Sequence, residues 1–327
     1  MSINRRHVLS GIAAAGAAAS LPFSAIGQAR YPNRPVTLVC PWGAGGGTDA
    51  TARIVAAILE KDLGQPFNVV NRTGGSGVVG HSAIATGTPD GYTIGMITND
   101  LSFYSVQGQS KITHRDFLEI GQTNEIAASV TVKEDAPYKS VKDLLDAIKA
   151  SPGKLKGTGA APGVNWHVAF LGMMQSVGQD PKNAIWVPAQ GGTLGHQDVA
   201  AGGSDFSTSS LSEARALIEA KKVRTLALMA DARSDVFPDV PTLKEATGSD
   251  WTFAVFHGVG GPKGLPKDIH DRLAAAVAKA HQAPEFREVL KQRTIRAIHR
   301  APAEYDAHLE KDLQEMAKVL KAVGLAN

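Results

Sequence analysis

From Val36 onward, short β-rich apolar runs take turns with segments of helical spacing, and this alternation restricts the fold more than anything else in the chain. "VTLVC" at 36–40 reads as a strand stopped by Pro41. Residues 49–63 then place Ala52, Val55, Ala56, Leu59 and Leu63 at helical intervals. "PFNVVN" (66–71) is a second strand, "GVVGHSAIAT" a second helix and "GYTIGMIT" (91–98) a third strand. Strand–helix–strand order needs crossover connections, so the pattern predicts an α/β fold with a mainly parallel sheet.

The same grammar returns later. "ASVTVK" (128–133) is a strand, and 140–151 is a helix with Ser140 as N-cap and Asp143 at the third position, where an acid favours the helix dipole. Helices follow at 167–178 and 194–202, and strands at 184–189, 204–210, 223–230 and 251–262. Three helices close the chain at 266–281, 284–293 and 302–323. The last carries Tyr305, Leu309, Leu313, Met316 and Leu320 on one face. Two stretches of this kind imply two α/β domains, an arrangement that commonly holds a ligand in the cleft between them.

The turn after the first strand is the chemical centre of the reading. In "CPWGAGGGTDATAR", Gly43, Gly45, Gly46 and Gly47 surround Ala44 just before a helix. Stripping side chains away lets backbone N–H groups approach a guest closely. A phosphate cradle of the G-x-x-x-x-G-K-[ST] kind would need a lysine, but Thr48 and Asp49 follow Gly47. A dinucleotide fingerprint fails as well, because Thr48 occupies the place of its last glycine. There is no G-x-S-x-G elbow and no H-E-x-x-H. His81, His114, His167, His196 and His257 have no metal-ligand spacing, so neither a metal nor a cofactor is expected.

Capture of an anion without chemistry remains, with a carboxylate as a natural guest for a helix N-terminus. Asp49 admits two roles: satisfying the first helical turn itself, or meeting a ligand amine, hydroxyl or water. A second loop, "GTGAAPGVNWH" (157–167), repeats the arrangement and could grip the same anion from the opposite side. The competing catalytic reading is a secreted hydrolase or lyase working through Asp49, His167 or Asp205.

Composition narrows the setting. The chain has 327 residues, 43% of them hydrophobic, enough for one or two packed domains. Its N-terminus, "MSINRRHVLS", sets Arg5 and Arg6 before an Ala-rich apolar segment that ends in small residues. This reads as a secretory signal over 1–29, cleaved after Ala29. The adjacent arginines suggest twin-Arg export, with Asn4 and His7 as imperfect neighbours, so the general secretory route stays open. Losing those two arginines takes the formal charge from +3 to +1, which offers nothing to nucleic acid or to an acidic membrane surface. The single cysteine, Cys40, excludes an intrachain disulfide. It reads as a buried core residue, since Leu38 and Val39 before it do not suit a lipoprotein acceptor.

The chain resembles the solute-binding receptors of tripartite tricarboxylate transporters, the TctC or Bug family of Gram-negative bacteria. The matching pieces span nearly the whole chain after the signal: "YPNRPVTLVCPWGAGGGTDATAR", "LGQPFNVVNRTGGSGVVG", "TPDGYTIG", "KSVKDLLDAIKASPGKLKGTG", "VRTLALMADARSDVFPDVPTLKEATG" and "GGPKGLPKDIHDRL". Their order and spacing together are specific. The resemblance implies a monomeric periplasmic receptor of type II binding-protein fold, a Venus flytrap of two α/β domains joined by two crossover strands. Domain 1 would combine 30–128 with 255–327, and domain 2 would cover 129–254. Its partners would be a small carboxylate and the membrane permease subunits of a tripartite transporter, or a sensor kinase if the receptor is an orphan.

By the same resemblance, two loops act as pincers on the ligand carboxylate. The first is Trp42, Gly43, Ala44, Gly45, Gly46, Gly47, Thr48 and Asp49. The second contains Gly159, Ala160, Gly163, Val164, Asn165 and His167, with Gln190 and Asp205 nearby. Three departures bear on which acid is chosen. Trp42 replaces the usual phenylalanine, Val164 stands where a serine is common, and "VPAQGG" replaces V-P-Y-K-G-G.

Overall fold

The computed structural model describes residues 31–326, so the expected signal segment lies outside the described residues. β1 (Val36–Cys40) leads through the Gly-rich turn into α1 (Gly47–Leu63), then β2 (Phe67–Asn71), α2 (Val78–Ala85), β3 (Thr93–Thr98) and the single turn α3 (Leu101–Tyr104). The long β4 (Phe117–Ala127) runs almost directly into β5 (Ser129–Lys133). After it come α4 (Val141–Ala150), β6 (Lys156–Thr158), α5 (Asn165–Ser176), β7 (Ile185–Val187), α6 (Gly192–Ala201) and β8 (Phe206–Ser207). α7 (Leu211–Glu219), β9 (Val223–Leu228), α8 (Leu243–Thr247) and β10 (Ala254–Pro262) follow, and α9 (Lys267–Gln282), α10 (Pro284–Gln292), β11 (Arg296–Arg300) and α11 (Pro302–Ala322) complete the chain.

The strands form two sheets, of order β11-β4-β10-β3-β1-β2 and β7-β6-β8-β5-β9. They are mixed rather than mainly parallel. β1 pairs in parallel with β2 and β3, and β6 with β7 and β8. β10 runs antiparallel to β3 and β4, and β5 antiparallel to β8 and β9. Two antiparallel members, β5 and β10, carry the chain from one sheet to the other, which a local strand–helix pattern does not reveal. At the crossing, Ala128 N–H donates to Phe253 O at 2.9 Å, Met229 N–H to Ala128 O at 2.9 Å, and Phe253 N–H to Met229 O at 2.9 Å.

The local rules explain most elements. α1 buries Ala52, Val55, Ala56 and Leu59 against the first sheet and ends at Gly64, whose left-handed backbone (φ 76°) suits glycine. Val55 and Leu59 each contribute about 1.5–3 kcal/mol on full burial. α4 has the expected capping box of Ser140 and Asp143 over a face of Val141, Leu144, Leu145 and Ile148. Cys40 is fully buried, as expected. α2 packs very close to the first turn: a Cβ on Gly80 would lie 2.5 Å from Pro41 Cα and 2.7 Å from Arg72 O. The strand expected over 204–210 shrinks to Phe206–Ser207. Past it, the Ser207 and Ser209 hydroxyls pair at 2.9 Å and Ser210 turns to cap α7.

Candidate functional site

β1 and β3 run in parallel, so the turns that follow them leave the first sheet at one edge. β6 and β8 likewise deliver the loop 159–164 and residues 208–210 to one edge of the second sheet. These edges face each other, because Gln107, beyond α3, donates its amide N–H to Gly163 O in the second loop.

The first loop is exposed at Gly43, Ala44, Gly45 and Gly46. α1 starts behind it with Gly46 as N-cap and no side-chain cap hydrogen bond. Such an uncapped start presents N–H groups and the positive dipole end to the cleft. Asp49 is 3% exposed and holds the loop from beneath. Its Oδ2 accepts from Gly45 N–H at 2.9 Å and Arg53 Nε at 3.0 Å, and its Oδ1 from Asn71 Nδ2 at 2.9 Å. Burial pushes the carboxyl up, but hydrogen bonds from Arg53, Gly45 and Asn71 outweigh it and hold the pKa at about 2. Of the two roles open to Asp49, the geometry favours the internal one.

Thr48 is also engaged inward. His257 Nδ1 lies 2.7 Å from Asn124 Oδ1, and Asn124 Nδ2 donates to Thr51 Oγ1 at 2.7 Å. The Asn124 oxygen can only accept, so Nδ1 of His257 carries the proton. His257 Nε2 then accepts from the Thr48 hydroxyl at 2.9 Å. Burial lowers the His257 pKa to about 4, so the ring is neutral. The start of α1 is thereby bolted to β4 and β10, the strands that lead toward the crossing.

In the second loop, Gly159 (φ 147°) leaves no room for a Cβ, which would sit 2.7 Å from Ser209 Oγ. Ala160 O accepts from Trp186 Nε1 at 3.0 Å. Gly163 N–H donates to His167 Nδ1 at 2.8 Å, which places the ring proton on Nε2. Burial lowers the His167 pKa to about 4, so the ring braces the loop without adding charge. It packs on Trp186 with ring centroids 4.6 Å apart. Val164 is the N-cap of α5 and provides no side-chain cap. Asn165 begins the helix, and its Oδ1 is sealed from water with no hydrogen-bond partner. Gln190 is exposed just beyond β7, at the same edge.

Asp205 is the exception among the expected site residues. Its carboxylate accepts from Lys156 N–H at 2.7 Å, at the start of β6. β6 and β8 are parallel, so Asp205 lies at the end of the sheet opposite the loops. It therefore does not belong with the pincer residues.

Sequence reasoning missed the residue that ties the two loops together. Asp100 follows β3, is 4% exposed, and accepts the Thr98 hydroxyl at 2.6 Å. Burial raises its pKa to about 6, against hydrogen bonds from Thr98, its own backbone, and the side chains of Asn165 and Trp42. Trp42 of the first loop and Asn165 of the second thus converge on one carboxyl. The available signal was position, since "TND" ends a strand at the edge where the Gly-rich turn emerges. Among the described residues, no group of three or more His, Cys, Asp or Glu is placed to hold a metal ion. No helix among them is long and apolar enough to cross a membrane.

Residues 51–325 match the family model of the tripartite tricarboxylate transporter family receptor, TctC. A "UPF0065 protein in tcbD-tcbE intergenic region" of Pseudomonas sp. strain P51 is 32% identical over 92% of this chain and 89% of its own length. A TctC solute-binding protein from Polaromonas, solved without ligand, is 31% identical with a TM-score of 0.79, covering 89% of this chain and 99% of that one. An R. palustris protein solved with adipate is 27% identical with a TM-score of 0.77, covering 90% and 99%.

Proposed function

The chain belongs to the tripartite tricarboxylate transporter receptor family, and on that premise we propose that it captures a small carboxylate in the cleft between its two Gly-rich loops. Its fold is that of the periplasmic binding proteins in this family, which is a family of solute receptors rather than enzymes. The observation that carries the reading is the convergence of the loops: two helices without side-chain caps start behind them, from different sheets, at facing edges. A carboxylate is the guest such N–H groups favour, and a relative of this fold is solved with adipate.

In this reading residues 43–49 and 159–167 are the pincers. Residues 30–128 with 255–327 form one lobe and 129–254 the other, and closure bends the chain near Ala128 and Phe253. The receptor acts as a monomer in the periplasm after loss of residues 1–29, and hands its ligand to the membrane subunits of a tripartite transporter. Ligand contacts from both loops favour the closed arrangement, as in other hinge-closing receptors.

A thermal-shift screen of the purified receptor against mono-, di- and tricarboxylates and amino acids tests this. Stabilisation by at least one carboxylate at micromolar to millimolar concentration is expected, with mass spectrometry of ligand retained through native purification as an independent check. A folded receptor stabilised by none of them would sink the reading.

A further inference from the structure

A buried carboxyl at the meeting point of two anion-gripping loops is an odd thing to build. A plain dicarboxylate held there would face Asp100 as a like charge in a site poor in water. Asp100 is not a stray surface acid: it is 4% exposed and anchored by Thr98 at 2.6 Å. The side chains of Trp42 and Asn165, one from each loop, hydrogen-bond toward it.

Its surroundings contain unspent hydrogen-bonding capacity. Asn99, the neighbouring residue, is fully buried, and neither its Oδ1 nor its Nδ2 has a partner. Asn165 Oδ1 is sealed from water and unpartnered too. Buried polar atoms are nearly always satisfied in folded proteins, so unpaired amide groups next to a buried carboxyl are free to serve a polar group of an incoming ligand. The amide oxygens of Asn99 and Asn165 and the carboxylate oxygens of Asp100 are all acceptors. The two amide oxygens lack a donor. Asp100 already accepts from Thr98, but no described cation forms an ion pair with it, and Arg53, the basic residue nearest the first loop in sequence, is paired with Asp49 at 3.0 Å.

Resting on the carboxylate reading above, we propose that Asp100, Asn99 and Asn165 form an ammonium subsite beside the pincers, so that the receptor's ligand class is amino acids and similar zwitterions. The loops take the ligand's carboxylate, and the acceptor cluster takes its N–H donors. Burial holds the empty Asp100 carboxyl near pKa 6, and an ammonium ion beside it would keep it ionised. The same cluster would disfavour an acid that puts a second carboxylate in place of the ammonium, which is selection by repulsion as much as by attraction.

Pairs of ligands that differ only in the amino group test this by isothermal titration at pH 7: aspartate against succinate, glutamate against glutarate, and β-alanine against propionate. In at least one pair the amino member is expected to bind ten or more times tighter. Asp100→Asn is expected to lower that ratio to threefold or less, chiefly by weakening the amino member. The wild-type ratios decide the matter even if the variant folds poorly. If the deaminated acids bind equally or better in every pair, the ammonium subsite is overturned while the carboxylate reading stands. An unchanged ratio in a folded Asp100→Asn receptor also overturns it. If neither member of any pair binds, the ammonium subsite is overturned, while the carboxylate reading stands or falls on the thermal-shift screen.

Discussion

At the scale of single residues, Asp49 tests how the first loop keeps its shape. Its carboxylate has three donors, and removing it takes the acceptor from Gly45 N–H and leaves the Asn71 amide with Trp42 O alone. Asp49→Ala is expected to cost about 1–3 kcal/mol, the usual range for losing hydrogen bonds to a charged group. Urea unfolding at pH 7 measures it. A loss within about 0.5 kcal/mol, the range of an ordinary surface substitution, would mean the loop holds itself. The charge matters as well as the shape. A carboxyl lowered from its ordinary range to about 2 stabilises the fold above the unfolded value of 3.8, and that contribution fades as pH falls toward 2. The contrast with Asp100 is instructive. Both acids are almost fully buried near the same cleft, yet one is driven strongly ionised by an arginine, one backbone N–H and the Asn71 amide, while burial raises the other to about 6.

At the scale of elements, the strands and helices with strong local signals were legible in the sequence. β1 was predicted to the residue, and α4 with its cap, because a period and a stop signal coincide there. β4 and β11 were not. β4 buries Glu119, Gln122, Thr123 and Asn124 among its apolar residues, so it has neither an apolar run nor an alternation. The Gly-rich loops were legible from composition, whereas Asp100 and Asn124 act only through partners far off in sequence. Long-range bonds between elements of the two sheets were equally hidden. Arg215 of α7 donates to Gln292 O at 2.7 Å and to Thr294 Oγ1 at 3.3 Å, just beyond α10. Arg296 of β11 joins Asp231, just past β9 of the other sheet, at 2.6 Å. These bonds exist only while the two sheets stay close. Arg215→Ala is therefore expected to raise the Kd for a captured carboxylate by about three- to tenfold through a lower closed population, while stability changes by about 1 kcal/mol or less, as for an exposed polar contact. Equal affinity in calorimetry would show that Arg215 plays no part in closure.

At the scale of the whole molecule, two sets of buried or half-buried titratable groups oppose each other. His81, His167, His196, His257 and His308 are each lowered by burial to about 4. A histidine with a depressed pKa stabilises the fold above the unfolded value of 6.5, and this is lost as pH falls toward 4. Asp100 and Asp312 are raised by burial to about 6 and about 7, and Glu119 well above its ordinary value. A carboxyl with a raised pKa has the opposite sign: its contribution is full below the unfolded value, near 4, and is lost as pH rises through the folded value. Between pH 4 and 6 the five histidines take up more protons on unfolding than the three acids release, so stability rises with pH. Above pH 7 the histidines are neutral in both states and contribute no further gain, while ionising the buried acids still costs. The ligand-free receptor is thus expected to be most stable at about pH 6–7.5, with Tm falling on both sides. Two variants separate the sets. His257→Gln should flatten the acidic limb, and Asp312→Asn should flatten the limb between pH 6 and 8, because Asp312 keeps one carboxylate oxygen sealed without a partner. A Tm that climbs steadily to pH 9 would mean that the buried acids ionise in the fold without penalty.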